Sequence, residues 1–167
     1  VAPYYAGLPA LFEFSFWYRL EWAINNATGS YFTKDILSYQ QEYAGYRNNY
    51  IEATKLSNHD EDRAASLLGQ STAKNKMAAA IYMTAQGTPF MQAGEEYGRT
   101  KFGDGNSYRS HPEINMIRWE QTVEFADLLE YYKGLIRLRK RMPGLYDKTA
   151  EAKKRISKRT VHGKKLV

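Results

Sequence analysis

Cysteine is absent from the 167 residues, which excludes disulfide scaffolds, thiolate metal sites and cysteine nucleophiles. No apolar run approaches the roughly 20 residues that a membrane-crossing helix needs, so no membrane partner is expected. Histidine and proline are scarce, at three and five residues. The opening VAPYY has no initiator Met, no basic leader segment and no small-residue cleavage site. It predicts a sequence that begins inside a longer chain.

What is present is an apolar fraction of 43%, with 14% aromatic residues. That is enough for the core of one domain of ordinary size. The net charge of +6 is unevenly spread. Residues 137–167 hold 12 Lys/Arg against two acids, Asp147 and Glu151, and the first 136 residues hold 12 Lys/Arg against 16 acids. A mildly acidic body with a basic end argues against a nucleic-acid partner, because runs such as Lys153-Lys154-Arg155 are ordinarily solvated surface.

Along the chain, residues 11–16 (LFEFSF) alternate as a short strand does. Trp17, Leu20 and Ile24 then recur at helical spacing as far as Asn26, and Gly29 ends that run. Thr33 is a candidate cap for a helix through Ile36, Leu37 and Tyr43. Residues 51–56 read as a second strand. Ser71 or Thr72 caps a helix with Met77, Ala80, Ile81 and Ala85 inward, closed by Gly87. Residues 89–93 (PFMQA) read as a third strand. The polar, Gly-rich stretch 94–119 is long for a connection, and such loops usually bind or cover ligands. A last helix carries Phe125, Leu128, Leu129, Tyr132, Leu135 and Ile136 as one stripe. Lys133, Arg137 and Arg139 there complement the helix dipole, and Pro143-Gly144 stops it. From Tyr146 onward the chain is basic and polar, with a weak strand at its end. The alternation of strands and helices predicts an α/β fold with parallel pairing.

Polar clusters follow the second strand (SNHDEDR) and the third (GEEYGR), at the strand ends where such folds bind ligands. Asn58, His59, Asp60, Glu61, Asp62 and Arg63 could hold a polyhydroxylated ligand through bidentate hydrogen bonds, or simply form an acid-rich helix start. A lone adjacent His-Asp does not make a metal site. Glu95 or Glu96 could face Asp60, a pairing that suits glycoside chemistry, or one of the two could be a buried scaffold acid. Tyr4, Tyr5, Trp17, Tyr18 and Trp22 are candidate stacking faces or packing residues. His111 and His162 stand alone in polar segments and are expected at the surface.

These motifs resemble the α-amylase family of glycoside hydrolases. LSNHDEDR (56–63) is similar to the family's fourth signature region, which ends the seventh strand of a (β/α)8 barrel. GTPFMQAGEE (87–96) is similar to its GxPxxxxGxE pattern on the eighth. RTKFGDGNSYRSHPEINMIRW (99–119) resembles the loop that follows in amylase- and pullulanase-type members. YYAGLPALFEFSFWYRLEWAI resembles the sixth strand and its helix. YDKTAEAKKRIS resembles the start of the β-sandwich beyond the barrel.

The resemblance implies an α/β fold, a partial TIM (β/α)8 barrel of its last three strand–helix units. Residues 1–144 would be barrel, and 145–167 the start of a C-terminal β-sandwich domain or a basic tail. It implies that Asp60 is the transition-state-stabilising carboxylate. His59, Asn58 and Arg63 would bind sugar, Asn106 and Tyr108 would line subsites, and Glu96 would be the structural acid. The family's nucleophilic Asp and general-acid Glu belong to the fourth and fifth strands, which have no counterpart here.

The expected function is therefore a fragment of a retaining α-glucan hydrolase acting on starch, maltooligosaccharide or pullulan-type substrates, inactive alone. Its partners would be the glucan and either the N-terminal half of the barrel or a self-associated copy. No cofactor or metal is implied for this segment, and Ca2+ only for the complete enzyme. Family members are commonly secreted, periplasmic or at the bacterial cell surface. A non-catalytic glucan-binding or regulatory relative is the alternative.

Overall fold

The computed structural model describes residues 8, 10–26, 51–147, 149 and 151. Tyr4, Tyr5, Gly29, the helix expected from Thr33, His162 and the terminal strand lie outside them. Strand β1 (Ala10–Glu13) pairs in parallel with β2 (Ile51–Lys55), and β2 with β3 (Thr88–Phe90). The register sets Phe12 beside Ala53 and Thr54 beside Pro89. Among the described residues β1 and β3 each pair on one side only, a position in which the missing N–H of Pro89 is tolerated.

Strand β1 ends sooner than its alternation implies, because residues 14–16 open helix α1 (Phe14–Asn26). The Glu13 carboxylate accepts the Ser15 N–H at 2.7 Å, satisfying one of the free donors at that helix start. Phe16, Trp17, Leu20, Ala23 and Ile24 then form its buried stripe. Trp17 is therefore packing, whereas Tyr18 and Trp22 are exposed.

After β2 come a single turn of helix, α2 (Ala64–Leu67), and α3 (Thr72–Thr84). Ser71 caps α3 by accepting the Lys74 N–H at 3.3 Å. The inward face matches the expected one at Ala85, which is in the core, and differs elsewhere. Asn75, Ala78, Ala79, Tyr82 and Met83 are buried, Ala80 and Ile81 are only partly covered, and Met77 is exposed. Three consecutive alanines leave the stripe undetermined by hydrophobicity, and Tyr82, the bulkiest side chain, takes the place between neighbouring helices. Strand β3 is also shorter than expected. It stops at Phe90, and the Ala93 carbonyl is taken by the Arg99 guanidinium at 3.0 Å.

The stretch 94–119 is built from 3-10 turns at Glu95–Tyr97, Ser107–Arg109 and Pro112–Asn115. A short α4 (Gln121–Glu124) leads into α5 (Ala126–Arg141). Leu128, Tyr132 and Leu135 of α5 join α1, α3 and Leu56 in one core, with Phe125 and Ile136 against it. Arg139 does not act as a surface cation on the dipole. It is buried, and Nη1 donates to the Met83 and Ala85 carbonyls at 2.7 and 2.8 Å, with Nη2 donating to Leu145 O at 2.7 Å and to Gly87 O. One guanidinium thus satisfies carbonyls at the end of α3, where the intrahelical ladder leaves them open.

A second polar tie crosses the core. Glu95 is buried, and its carboxyl oxygens accept the Tyr132 hydroxyl at 3.0 Å and the Ser57 hydroxyl at 3.2 Å. Burial pushes its pKa up from 4.5 to about 8, against the opposing pull of those hydroxyls. The same burial, followed by the nearby Glu95 charge, raises Tyr82 and Tyr132. Between pH 4.5 and 8 the unfolded chain has lost a proton that the folded chain keeps. Stability from this group is therefore present at low pH and falls as pH rises, by about 1.4 kcal/mol per pH unit. Chemical denaturation at pH 5, 6, 7 and 8 is expected to show this decline, and Glu95→Gln to flatten it. A Glu95→Gln variant that keeps the parent's slope would assign the proton to another group.

Candidate functional site

The site begins where β2 runs out. Leu56, Ser57 and Asn58 are buried, and the chain surfaces abruptly at His59 and Asp60. Asn58 makes that turn possible, because its Oδ1 accepts the N–H groups of Asp60 at 3.0 Å and Glu61 at 3.1 Å. This side-chain mimic of a backbone turn is what Asn supplies at such positions. Two buried cations hold the same turn from below. Arg63 Nη1 donates to Asn58 O at 2.5 Å, and Lys101 Nζ donates to His59 O at 3.0 Å and Gly105 O at 3.4 Å.

Above this support, His59 Nε2 lies 3.2 Å from Asp60 Oδ1, with the two side chains 81% and 71% exposed. The pair stands at the carboxyl end of a parallel strand, open to solvent and backed by a fixed main chain. Its neighbours in sequence are otherwise engaged. Glu61 pairs with the fully buried Lys55 and accepts the Tyr18 hydroxyl at 2.7 Å, a bond that raises the Tyr18 pKa. Lys55 also lies 4.4 Å from the centroid of the Phe14 ring. Asp62 Oδ1 accepts the Arg63 N–H at 2.7 Å. Of three clustered acids, Asp60 alone points its carboxylate outward without a hydrogen bond to the scaffold among the described residues.

The structure therefore divides the expected sugar-binding residues. His59 and Asp60 are together and accessible. Asn58 and Arg63 lie beneath them at 5% and 4% exposure, their bonds directed to the turn. Desolvation, reinforced by Arg99, lowers the Arg63 pKa, and desolvation with Arg63 lowers that of Lys101. Asn106 is exposed at the head of its 3-10 turn, with its N–H on Asp104 Oδ1 at 2.9 Å. Tyr108 is exposed, with the Arg109 guanidinium 5.3 Å from its ring centroid. Neither makes a hydrogen bond or ring contact with His59 or Asp60. His111 is at the surface, as expected, 3.8 Å from Glu113.

Of the two acids after β3, Glu95 is the buried one, whereas Glu96 is the one expected to serve as the structural acid. Glu96 is only partly buried, and its Oε2 accepts the Gly94 N–H at 3.0 Å within its own loop. Consecutive residues of a tight turn point in different directions, and here Glu95 is the one directed at Tyr132 and Ser57. Gly94 is required, with φ +94° and a position where a Cβ would come within 2.6 Å of Arg99 Cδ. Sequence reasoning also missed Lys101 and Ser57. A Lys among glycines and polar residues reads as solvated surface, and its partner lies 42 residues away. Among the described residues no three His, Asp or Glu side chains group as a metal site.

Chemically, a paired imidazole and carboxylate at a strand end can donate and accept to vicinal hydroxyls. Comparison with known proteins shows the family. A family model described as the α-amylase catalytic domain matches residues 11–154. Alpha-amylase SusG of Bacteroides thetaiotaomicron is 52% identical over 87% of this chain, taking in 24% of that protein. The pullulanase of Bacillus subtilis is 36% identical over 57% of this chain and 14% of its own length. Among solved structures, the α-amylase from H. orenii superposes with a TM-score of 0.71 at 29% identity, over 87% of this chain and 34% of that one. A pullulanase from Paenibacillus barengoltzii, in complex with maltohexaose and α-cyclodextrin, shares the fold with a TM-score of 0.71 at 24% identity, over 86% of this chain and 26% of that one. The chain thus spans about a quarter of the length of SusG. It belongs to the α-amylase family of glycoside hydrolases, as part of the catalytic domain.

Proposed function

We propose that these residues supply the last three strand–helix units of a (β/α)8 barrel, within residues 1–144, in a retaining hydrolase of α-glucans such as starch, maltooligosaccharides or pullulan. Residues 145–167 would lead into a C-terminal β-domain. The observation that carries the reading is the exposed His59–Asp60 pair on a turn held from beneath by Asn58, Arg63 and Lys101. The parallel sheet adds support. Its register and the two-residue alternation of strands put Phe12 and Phe90 on one face. Their rings meet edge-on at 4.8 Å, 44% and 36% exposed, as an apolar barrel interior would be before its remaining strands close over it. The remainder of the barrel, or a second copy, is the partner that such a face implies.

In this role Asp60 grips sugar hydroxyls at the cleavage subsite and favours the oxocarbenium-like transition state, while His59 donates to a neighbouring hydroxyl. Asn106 and Tyr108 line flanking subsites. Asn58, Arg63 and Lys101 are positioning residues. The bond-breaking step needs a nucleophile and a general acid about 5 Å apart, and neither has a counterpart among these residues. The 167-residue chain by itself then binds glucan at most.

Three outcomes test this. Purified chain incubated with maltoheptaose is expected to release no reducing sugar above the enzyme-free rate; turnover that Asp60→Ala abolishes would refute the inactivity. In the complete polypeptide carrying this segment, Asp60→Asn is expected to lower kcat by about 100-fold or more, since it removes charge and keeps shape. An unchanged kcat at saturating glucan would remove Asp60 from the chemistry. Lys101→Met, which deletes the donor under His59, is expected to lower kcat about tenfold with KM altered less than about threefold, because small misplacement of a reacting group is costly. A folded Lys101→Met variant with the parent's kcat would make Lys101 purely structural.

A further inference from the structure

The turn that delivers Lys101 to His59 has an unexpected occupant at its tip. Asp104 N–H donates to Lys101 O at 3.1 Å, closing a four-residue turn around Phe102 and Gly103. Both central residues have positive φ, +55° and +91°. Mirror-image turns of this kind favour Asn, Asp or Gly at both central places, and a bulky side chain at positive φ is an outlier. Among the described residues only Gln70 and Phe102 combine a side chain with positive φ. Asn at position 102 would satisfy the turn with less strain, so turn chemistry does not account for the phenylalanine.

Packing does not account for it either. The Phe102 side chain is 68% exposed, and no ring contact joins it to another aromatic residue of the described structure. Yet the turn that presents it is firmly held. The Phe102 N–H donates to Thr100 Oγ1 at 2.9 Å, and Thr100 Oγ1 is itself bonded to Ser66 Oγ on α2. Lys101, next in sequence, is 1% exposed and tied to the carbonyls of His59 and Gly105. A Cβ added to Gly105 would come within 3.9 Å of the Asp62 N, so the two loops lie against each other. A strained, exposed, rigidly mounted aromatic beside a ligand-binding turn is the pattern in which strain accompanies function.

We propose that Phe102 is a stacking platform for a glucosyl ring adjoining the unit held at His59–Asp60. This rests on the α-glucan reading of the site and extends it to a subsite. A pyranose presents apolar C–H groups on its faces and hydroxyls around its edge, so it lays a face on an aromatic ring while its edge remains hydrated. Because Lys101 joins the two loops through the His59 carbonyl, the ring and the His59–Asp60 pair keep a fixed separation. That arrangement favours a chain of at least two sugar units over a single glucose.

The test compares Phe102→Asn and Phe102→Trp in the complete polypeptide. Phe102→Asn suits the turn and removes the platform. It is expected to leave the melting temperature unchanged or raised by about 2 °C, while KM for maltoheptaose rises roughly tenfold with kcat within about twofold. Phe102→Trp keeps an aromatic face and is expected to hold KM within about threefold of the parent. An unchanged KM in the Phe102→Asn variant would overturn the proposal. So would a KM increase accompanied by a fall of several degrees in melting temperature, which would mean that the ring packs against another part of the protein. Asp60→Asn, assayed in parallel, separates the two levels: full turnover there would refute the site reading itself, independently of Phe102.

Discussion

The whole arrangement depends on how two main-chain carbonyls at the end of β2 are satisfied. A chain leaving a buried strand must either continue in regular structure or find partners for its polar groups, because an unpaired buried carbonyl is costly. Here the partners are charged. Arg63 holds Asn58 O and Lys101 holds His59 O, while the Asn58 side chain accepts the next two N–H groups. The backbone is held from below, and the paired side chains of His59 and Asp60 are left exposed. Burying two cations and Arg99 in one region is unfavourable in itself, as the lowered pKa values of Arg63 and Lys101 register. Carbonyl dipoles and the nearby acids Asp62 and Asp104 offset that cost.

The same device recurs throughout the described residues. Arg139 ties the end of α3 to the turn at Pro143–Leu145, and Glu95 ties the loop after β3 to α5 and to the start of the β2 turn. Apolar packing among α1, α3 and α5 brings the helices together without direction. The buried polar ties add the directionality, that of Glu95 at the carboxyl ends of β2 and β3 and that of Arg139 at the amino end of β3. One face of the sheet behaves otherwise, leaving Phe12 and Phe90 partly uncovered.

Much of this was legible in the sequence. The 3.6-residue stripe of α5 and that of α1 appear as read, as does the Ser71 cap of α3. The strand ends carrying SNHDEDR and GEEYGR lie on adjacent parallel strands. Errors occurred where local signals were flat or shared between structures. Residues 14–16 fit a strand's alternation and a helix's first turn equally, and the Glu13 cap decided for the helix. The alanines of α3 fit any face until Tyr82 was seated. Arg139 looked like its neighbours Arg137 and Lys140, although only Arg139 is directed into the protein.

By itself the sequence determined the kinds of elements, their parallel order, the family and the position of the His59–Asp60 pair, because periodicity, capping and contiguous motifs are written within a few residues of each other. Tertiary structure alone decided which of Glu95 and Glu96 is the buried acid, that Asn58 and Arg63 support the site from within, and that Lys101 lies under His59. The first and last of those outcomes depend on partners 37 to 42 residues away. A hydrogen bond is formed by direction and distance in space, and neighbouring residues of identical type differ in both once the chain has folded.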